Sequence, residues 1–248
     1  AVIGRDGNIY GLPDESGTVL IINPHTKEVD VVDVKQGRWG RKKKGSYRGG
    51  VLAADGMIYF IPHNSEQVLR FDPTDRTATS VGKKFHGEGK WCGGVLGKDG
   101  CVYGIPSNAS RILRFDPTTQ IASLVGDDLK IGRRKWAGGA VDSNGIIYGV
   151  PYDAKQILRF DPVTKETSLI GFTYDGDWKW SGGVIGGDDN IYCIPTSAEQ
   201  VLRLDTSTLK TTLVGDKYEG DCKWRGGAKG KDGIIYGVPY DKYERVLQ

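Results

Sequence analysis

The stretch Lys90-Trp-Cys-Gly-Gly-Val-Leu-Gly-Lys-Asp-Gly-Cys-Val-Tyr-Gly-Ile-Pro106 decides the fold, because nearly the same phrase recurs along the chain. It is followed by Arg111-Ile-Leu-Arg-Phe-Asp-Pro117, and the phrase returns from Lys135, Lys179 and Lys223. Alignment on it gives repeats that start 44 or 45 residues apart after a longer first one: 1–50, 51–94, 95–139, 140–183, 184–227 and a partial 228–248. Self-similarity at this period is typical of stacked supersecondary units.

Each repeat contains four short apolar runs separated by turn signals. The first run ends at an Asp-Gly pair such as Asp99-Gly100, which is a strong hairpin signal. The second run is closed by a proline such as Pro106, which lacks the N–H needed for further pairing. The third run, of Val-Leu-Arg-Phe type, ends in an Asp-Pro turn, and the fourth is a Ser-Leu-Val run. This pattern predicts an all-β fold, a β-propeller of four-stranded antiparallel blades that forms a single domain over residues 1–248.

The number of blades is open to two interpretations. Five repeats are complete and the sixth stops at Gln248, inside its third strand. We favour six blades, the last of which lacks its outer strand. In the alternative, a five-bladed ring pairs the two strands of the last repeat with the third and fourth strands of the first, and residues 1 to 16 are surplus. Because an unpaired strand edge is a liability, we expect that the protein continues or that something covers this edge.

Composition sets broad limits on function. Hydrophobic residues make up 38% and charged residues 26% of the chain, and the formal net charge is +3. This mild basicity does not favour nucleic acid as a partner. The sequence has no long apolar run, so we expect no membrane span, and its first residues show no charged-then-apolar segment typical of a targeting peptide. The four cysteines lack the regular spacing of a metal site or a disulfide framework, so we expect free thiols. Cys92 and Cys101 flank one predicted strand and are the one pair for which a disulfide stays open.

Strand alternation assigns the connections to two faces. The Asp-Gly and Asp-Pro turns fall on one face, and the loops after the prolines and the connections before the tryptophans fall on the other. The second face therefore carries the repeated Lys-Trp pairs and the variable loops. It also carries the longest insertion, which contains the basic run Arg41, Lys42, Lys43 and Lys44.

The repeat resembles the NHL-type propeller repeat in its Asp-Gly turn, its aromatic-containing second strand and the Phe-Asp that ends its third strand. It departs from that family after the second strand, where this chain has Gly-Ile-Pro. The Lys-Trp-x-Gly-Gly-Val opening is similar to an uncharacterised propeller repeat of algal and other protist proteins. The resemblance covers essentially all of the chain and implies the propeller fold, which hosts binding, scaffolding and catalysis alike.

The repeated Lys-Trp pairs are the first candidate binding residues, and each member has two interpretations. The indoles form an exposed ring that stacks on sugars or bases, or they fill the wedge between neighbouring blades. The lysines form an anion-attracting ring, or they belong to a solvated rim. The set comprises Lys90, Lys135, Lys179, Lys223, Trp91, Trp136, Trp180 and Trp224, and Tyr47 takes the place of the tryptophan in the first repeat.

The loops after the prolines carry a second set of candidates, because Asn64, Asn108 and Asp153 are polar and non-uniform and offer hydrogen bonds to a ligand. The run Arg41 to Lys44 is either a solvated loop or an anchor for an anionic partner. The strand arginines, Arg70, Arg114, Arg159 and Arg203, are expected to form structural ion pairs.

Catalysis finds little support in the sequence. The three histidines lie at unrelated phases of the repeat, and no nucleophile elbow, phosphate loop or metal-protease motif occurs. We therefore expect no catalytic residue, cofactor or metal. The leading hypothesis is a non-catalytic propeller that binds a protein partner or serves as a subunit of an assembly. A lectin-like binder with one site per blade is the alternative, and a propeller lyase or hydrolase is the third possibility.

Overall fold

The computed structural model describes residues 1–13, 17–34, 46–130, 132–241 and 243–248, and within them it contains strands and no helix. Five sheets have four antiparallel strands each, and the strands are numbered in chain order. Sheets 1 and 2 contain β1 to β4 (Val2–Ile3, Ile9–Gly11, Thr18–Ile22, Val29–Asp33) and β5 to β8 (Tyr47–Leu52, Ile58–Pro62, Val68–Asp72, Thr77–Val81), and sheet 3 contains β9 to β12 (Trp91–Leu96, Val102–Pro106, Ile112–Asp116, Ile121–Val125). Sheets 4 and 5 contain β13 to β16 (Trp136–Val141, Ile147–Pro151, Ile157–Phe160, Thr167–Ile170) and β17 to β20 (Trp180–Ile185, Ile191–Pro195, Val201–Leu204, Thr211–Val214). Sheet 6 pairs β21 (Trp224–Lys229) with β22 (Ile235–Pro239). The predicted all-β propeller, with five complete blades and a partial sixth, is confirmed.

Sheet 1 decides between the two blade counts. Its strands β1 and β2 pair within one sheet with β3 and β4, so the third and fourth strands of the first repeat already have partners. The five-bladed alternative, which needs those strands to pair with the last repeat, is wrong. In sheet 6 the third strand is represented by a single bridge between Gly237 and Leu247.

The chain divides into two compact units. The N-terminal unit comprises residues 1–104 and 111–125, and the C-terminal unit comprises residues 105–110 and 126–248. The expectation that residues 1–248 form one domain stays a prediction. None of the described residues forms a helix long and apolar enough to cross a membrane.

The Gly-Gly pair of the first strands serves close approach between sheets. In β13 the pairing with β14 shifts register between Trp136 and Gly139, and Gly138 in this bulge has φ +81°. A Cβ atom on Gly138 would lie 2.7 Å from the Cα atom of Gly182, the equivalent residue of sheet 5. A Cβ atom on Gly182 would in turn lie 2.6 Å from the Cα atom of Gly226 in sheet 6. Equivalent positions of successive sheets therefore lie side by side in the C-terminal unit, and corresponding ends of these sheets share one face.

The Asp-Gly hairpins are fastened by the repeated tyrosines. The hydroxyl of Tyr103 donates to Oδ2 of Asp99 at 2.7 Å, and Oδ1 of Asp99 accepts the backbone N–H of Cys101 at 3.1 Å. Burial and this bond hold the phenol protonated, since both raise the pKa of Tyr103. The same Tyr-to-Asp bond occurs in every repeat: Tyr10 to Asp6, Tyr59 to Asp55, Tyr148 to Asp142, Tyr192 to Asp188 and Tyr236 to Asp232.

The core lies between successive sheets, where aromatic side chains meet. In the N-terminal unit, the ring of Tyr10 packs on Phe71 of the next sheet with centroids 5.5 Å apart, and Tyr59 packs on Phe115 at 5.1 Å. All four rings are almost completely buried. Burial of such rings stabilises a sheet against its neighbour by about 1.5–3 kcal/mol per side chain. Buried aromatic contacts therefore join adjacent sheets of the N-terminal unit.

The expectation of free thiols is confirmed, and Cys92 and Cys101 do not form the one disulfide that the sequence left open. All four cysteines are free thiols, and strand β9 separates Cys92, near its start, from Cys101, in the turn beyond its end. Because a strand advances about 3.3 Å per residue, the two thiols lie at opposite ends of sheet 3. Burial raises the pKa of Cys101 to about 11 and that of Cys193 to about 12, so both thiols are protonated at neutral pH.

Candidate binding face

We call the end of each sheet at which its first strand begins the Lys-Trp end. All four repeated lysines are buried there, with exposed fractions between 0% and 4%. The ammonium group of Lys90 donates to the carbonyls of His63, Ser65 and Gly87 at 3.2, 2.8 and 2.9 Å. His63 and Ser65 belong to the loop after the second strand of the preceding sheet. Lys90 therefore joins two loops of adjacent sheets.

The other repeated lysines also donate to backbone carbonyls. Nζ of Lys135 donates to the carbonyl of Ala109, Nζ of Lys179 to those of Tyr152 and Gly176, and Nζ of Lys223 to that of Gly220. Burial lowers the pKa of Lys90 and of Lys135 to about 8, and it also lowers the pKa of Lys179 and of Lys223. The expectation of an exposed or anion-attracting ring of lysines is wrong, because backbone carbonyls replace water around each ammonium group.

The repeated tryptophans are buried as well, each at 2% exposure or less. The indole N–H of Trp91 donates to the carbonyl of Arg111 at 2.9 Å, and the ring meets Phe85 edge-on at 5.2 Å between centroids. Trp136, Trp180 and Trp224 donate to the equivalent carbonyls of Gln156, Gln200 and Arg245. Tyr47, the counterpart in sheet 2, is also buried. The expected ring of exposed indoles does not form in the described residues, and the packing interpretation is the one that the structure has.

The polar residues after the prolines hold the neighbouring connection. Oδ1 of Asn64 accepts the N–H of Gly89, and Oδ1 of Asn108 accepts that of Arg134, both at 2.8 Å. Oδ1 of Asp153 accepts the N–H of Trp178 at 2.9 Å. Each of these three oxygens therefore already accepts a hydrogen bond within the chain, and a role for the three residues in binding a ligand stays a prediction. The run Arg41, Lys42, Lys43 and Lys44 lies outside the described residues.

The strand arginines follow the ion-pair expectation at two positions. Nη2 of Arg70 lies 3.6 Å from Asp72 of the Asp-Pro turn, and Nη2 of Arg114 lies 3.6 Å from Asp99 of the Asp-Gly turn.

The three histidines lie in different loops. His25 follows β3, His63 follows β6 and places Nδ1 2.8 Å from the carbonyl oxygen of Trp91, and His86 precedes β9. Within the described ranges, no three His, Cys, Asp or Glu side chains are grouped so that they could hold a metal ion together.

The exposed group at the Lys-Trp end is centred on Trp178, which sequence analysis did not select. This indole is 40% exposed, and the guanidinium carbon of Arg134 lies 5.5 Å from its ring centroid. Nε of Arg134 lies 2.9 Å from Oδ2 of Asp153, whose other oxygen holds the Trp178 N–H. One carboxylate thus fixes both the cation and the loop that carries the indole.

The backbone conformation just before the repeated lysines accounts for the bonds that hold Arg134 and Trp178 in place. Residues immediately before the repeated lysines adopt a left-handed conformation, with φ +51° at Arg134, +54° at Trp178 and +52° at Cys222. This conformation costs a residue other than glycine about 1–2 kcal/mol, and the bonds from Asn108 and Asp153 offset that cost. Variation at one position of the repeat could have identified Trp178 from the sequence. The residue just before the repeated lysine is Gly89, Arg134, Trp178 or Cys222 in different repeats.

A second aromatic and cationic pair lies at the same end of sheet 6. The guanidinium carbon of Arg225 is 4.9 Å from the ring centroid of Tyr240, and this ring is 41% exposed. Tyr240 is held by its N–H, which donates to the carbonyl of Lys223 at 2.9 Å. We call Arg134, Trp178, Arg225 and Tyr240 the aromatic-arginine patch. All four residues belong to the C-terminal unit.

Comparison with known proteins supports the fold and not a family. No family model and no curated protein matches the sequence. Among solved structures, a streptogramin B lyase is similar over 96% of this chain and 74% of its own, with 16% sequence identity and a TM-score of 0.75. A catalytically inactive histidine-to-alanine variant of virginiamycin B lyase from Staphylococcus aureus with quinupristin is similar over 99% and 81%, with 12% identity and a TM-score of 0.77. A protein of unknown function from Bacteroides thetaiotaomicron is similar over 97% and 66%, with 13% identity and a TM-score of 0.66. At these identities the likeness shows the fold alone: the chain is built of repeated four-stranded sheets, as in the propellers of virginiamycin B lyase type.

Proposed function

We propose that the protein is a non-catalytic binding propeller of NHL-like repeats, and that a protein partner docks on the aromatic-arginine patch. The observation that carries the proposal is the exposed Trp178 ring, stacked by Arg134 and fixed through Asp153. Tryptophan, tyrosine and arginine are the residues most enriched at the energetic centres of protein interfaces. A side chain that is ordered before binding loses less entropy when the complex forms.

The burial of the repeated residues favours this patch over a set of equivalent sites. Each Lys-Trp pair is occupied by contacts within the protein, so the positions that repeat are structural. Trp178 departs from the repeat and is exposed, and Tyr240, whose counterpart in the fourth repeat is Tyr152, is exposed as well. One asymmetric patch suits a single protein partner, whereas a glycan binder with one site per blade needs equivalent exposed platforms.

The experiment is quantitative capture of binding partners by the immobilised protein, with Trp178→Ala and Arg134→Ala as the test variants. Each should weaken the specific complex about 30-fold, which corresponds to the loss of about 2 kcal/mol at an interface centre. Val163→Ala is the matched control, since Val163 is an exposed apolar residue in the Asp-Pro turn, at the opposite end of sheet 4. Equal capture by the wild type and by Trp178→Ala would refute the proposed site.

The basic run is a second part of the proposal. Arg41 to Lys44 would act as a peripheral anchor for acidic groups of the same partner, because exposed charges chiefly raise the association rate. Charge reversal at Lys42, Lys43 and Lys44 together should slow association and reduce its dependence on salt. An unchanged association rate at low salt would remove the anchor and leave the patch untouched.

A further inference from the structure

The terminal nitrogens of the Arg134 side chain carry hydrogen-bond donors that the described part of the chain leaves open. Nε of Arg134 lies 2.9 Å from Oδ2 of Asp153, and no bond joins Nη1 or Nη2 to a described residue. The side chain of Arg134 is 51% exposed, whereas that of Asp153 is 12% exposed. A guanidinium offers an Nε edge and an end formed by its two terminal nitrogens. Asp153 therefore occupies the Nε edge, and the end is accessible to an acceptor from another molecule.

Arg134 and Trp178 are fixed before any partner arrives, because the backbone of each is bonded as well. The N–H of Arg134 donates to Oδ1 of Asn108 at 2.8 Å, and that of Trp178 donates to Oδ1 of Asp153 at 2.9 Å. The Trp178 ring lies against the guanidinium, with 5.5 Å between the ring centroid and the guanidinium carbon. A planar fork held in this way loses little entropy on binding, and its parallel N–H groups match the two oxygens of a carboxylate.

Net charge does not favour an anion at this place, because opposite charges balance around the fork. Asp153 offsets Arg134, and the exposed neighbours in sequence, Arg133 and Asp177, also carry opposite charges. An anion that responds to charge alone is screened by salt over about 10 Å and would not distinguish Arg133 from Arg134. Recognition therefore depends on hydrogen bonds to the fixed fork of Arg134.

The exposed indole beside the fork sets a second requirement for a ligand. Trp178 is 40% exposed, so an apolar group can cover the part of the ring that Arg134 leaves open. Side chains two residues apart in an extended segment lie on one face, about 6.6 Å apart. This spacing is close to the 5.5 Å between the guanidinium carbon and the ring centroid. One extended segment can therefore place an acidic side chain at Arg134 and an apolar side chain on Trp178.

We propose that the partner presents an acidic residue and, two positions away, an aromatic or aliphatic residue, and that its carboxylate binds the terminal nitrogens of Arg134. The apolar side chain packs on Trp178, where burial of its surface stabilises the complex. Such a partner docks on the aromatic-arginine patch, so its chemistry rests on the proposed function of that patch.

Selection of random peptides displayed on phage, with the immobilised protein as the target, tests the recognition chemistry. Peptides that bind the wild type and not Trp178→Ala should share Asp or Glu two positions from Trp, Phe, Leu or Ile. Trp178→Ala should fold normally, since the ring that it removes is 40% exposed. Peptides that depend on Trp178 but share no acidic residue would overturn the carboxylate assignment and leave the docking patch standing. Selected peptides that all bind Trp178→Ala as tightly as the wild type would overturn both.

A double-mutant cycle on one selected peptide tests the direct contact. Replacement of its acidic residue by the corresponding amide should weaken binding to the wild type about 10- to 100-fold, through the loss of charge-assisted hydrogen bonds. The same replacement should change binding to Arg134→Gln by less than about 2-fold, because the fork is already absent. Isothermal titration calorimetry measures the four affinities. An equal loss in both proteins would overturn the assignment, since Arg134 would then act only by holding Trp178.

Two further variants separate the fork from its charge. Arg133→Gln removes the same charge from the neighbouring exposed residue and should change the affinity by less than about 2-fold. Arg134→Lys keeps the charge but loses the fork, and it should bind the acidic peptide about 10-fold more weakly. Equal effects of Arg133→Gln and Arg134→Gln would overturn the proposal. Binding that is more than about 10-fold tighter when phosphoserine replaces the acidic residue would also overturn it, since the fork would then be a phosphate site.

Discussion

Replacement of Lys90 and of Lys135 by methionine, compared with each other, tests whether the buried ammonium groups stabilise the fold through backbone carbonyls. The two sites are similar in burial, with exposed fractions of 4% and 2%, and both Nζ atoms lie 5.9 Å from the neighbouring indole centroid. They differ in acceptors: Lys90 donates to three carbonyls, and Lys135 donates to one among the described residues.

The magnitude follows from this difference. The free-energy cost of burying a charged lysine is similar at the two sites, and so is the gain from burying a methionine. Both contributions therefore nearly cancel when the two variants are compared. What remains is two hydrogen bonds from a charged donor, each worth about 1.5 kcal/mol. Lys90→Met should therefore lower the free energy of unfolding by about 3 kcal/mol more than Lys135→Met does. In a chain of this size, that difference corresponds to about 6–12 °C in melting temperature.

The assay is urea unfolding at neutral pH, followed by tryptophan fluorescence and by far-ultraviolet circular dichroism. Coincident transitions for the two probes justify a two-state free energy. Lys231→Met, at an exposed position, is the control and should change stability by less than about 0.5 kcal/mol. Equal losses for the two test variants, or a larger loss for Lys135→Met, would refute the carbonyl-capping argument.

Two further predictions concern the same contacts between sheets. Between pH 8 and 10.5 the unfolded chain keeps the proton of Lys135, whereas the folded chain, in which this lysine has a pKa of about 8, has lost it. The contribution of Lys135 to stability should therefore increase with pH in this range, and the free energy of unfolding of Lys135→Met relative to the wild type, measured by urea titrations at successive pH values, should fall by a growing amount. Gly138→Ala should lower the free energy of unfolding by more than about 3 kcal/mol, because its Cβ would lie 2.7 Å from the Cα of Gly182. The control Gly220→Ala, whose Cβ meets nothing, should lower it by only about 1–2 kcal/mol because of its positive φ. Thermal melts that show equal losses of stability for the two variants would contradict the close approach of the first strands.

The candidate site shows where repeat analysis fails. A residue that recurs in every repeat has the same surroundings in every repeat. Lys90 and Trp91 recur because their hydrogen bonds to backbone carbonyls are structural contacts that each repeat uses. The functional candidate Trp178 is a departure from the repeat. Asp153 was selected from the sequence as a ligand-binding residue, and in the structure its two oxygens contact the backbone N–H of Trp178 and the guanidinium of Arg134.

The sequence by itself determined the class of fold, the strand order within each blade, the hairpin turns and the need for glycine in the first strands. These features depend on local chemistry, such as Asp-Gly turns, proline at strand ends and alternation of apolar residues. Only the tertiary structure decided which residues are exposed, because the carbonyls around Lys90 belong mainly to a loop about 25 residues earlier in the chain. It also decided between the two blade counts, since β3 pairs with β2 of its own repeat and not with the last repeat, a choice between partners that turn chemistry leaves open.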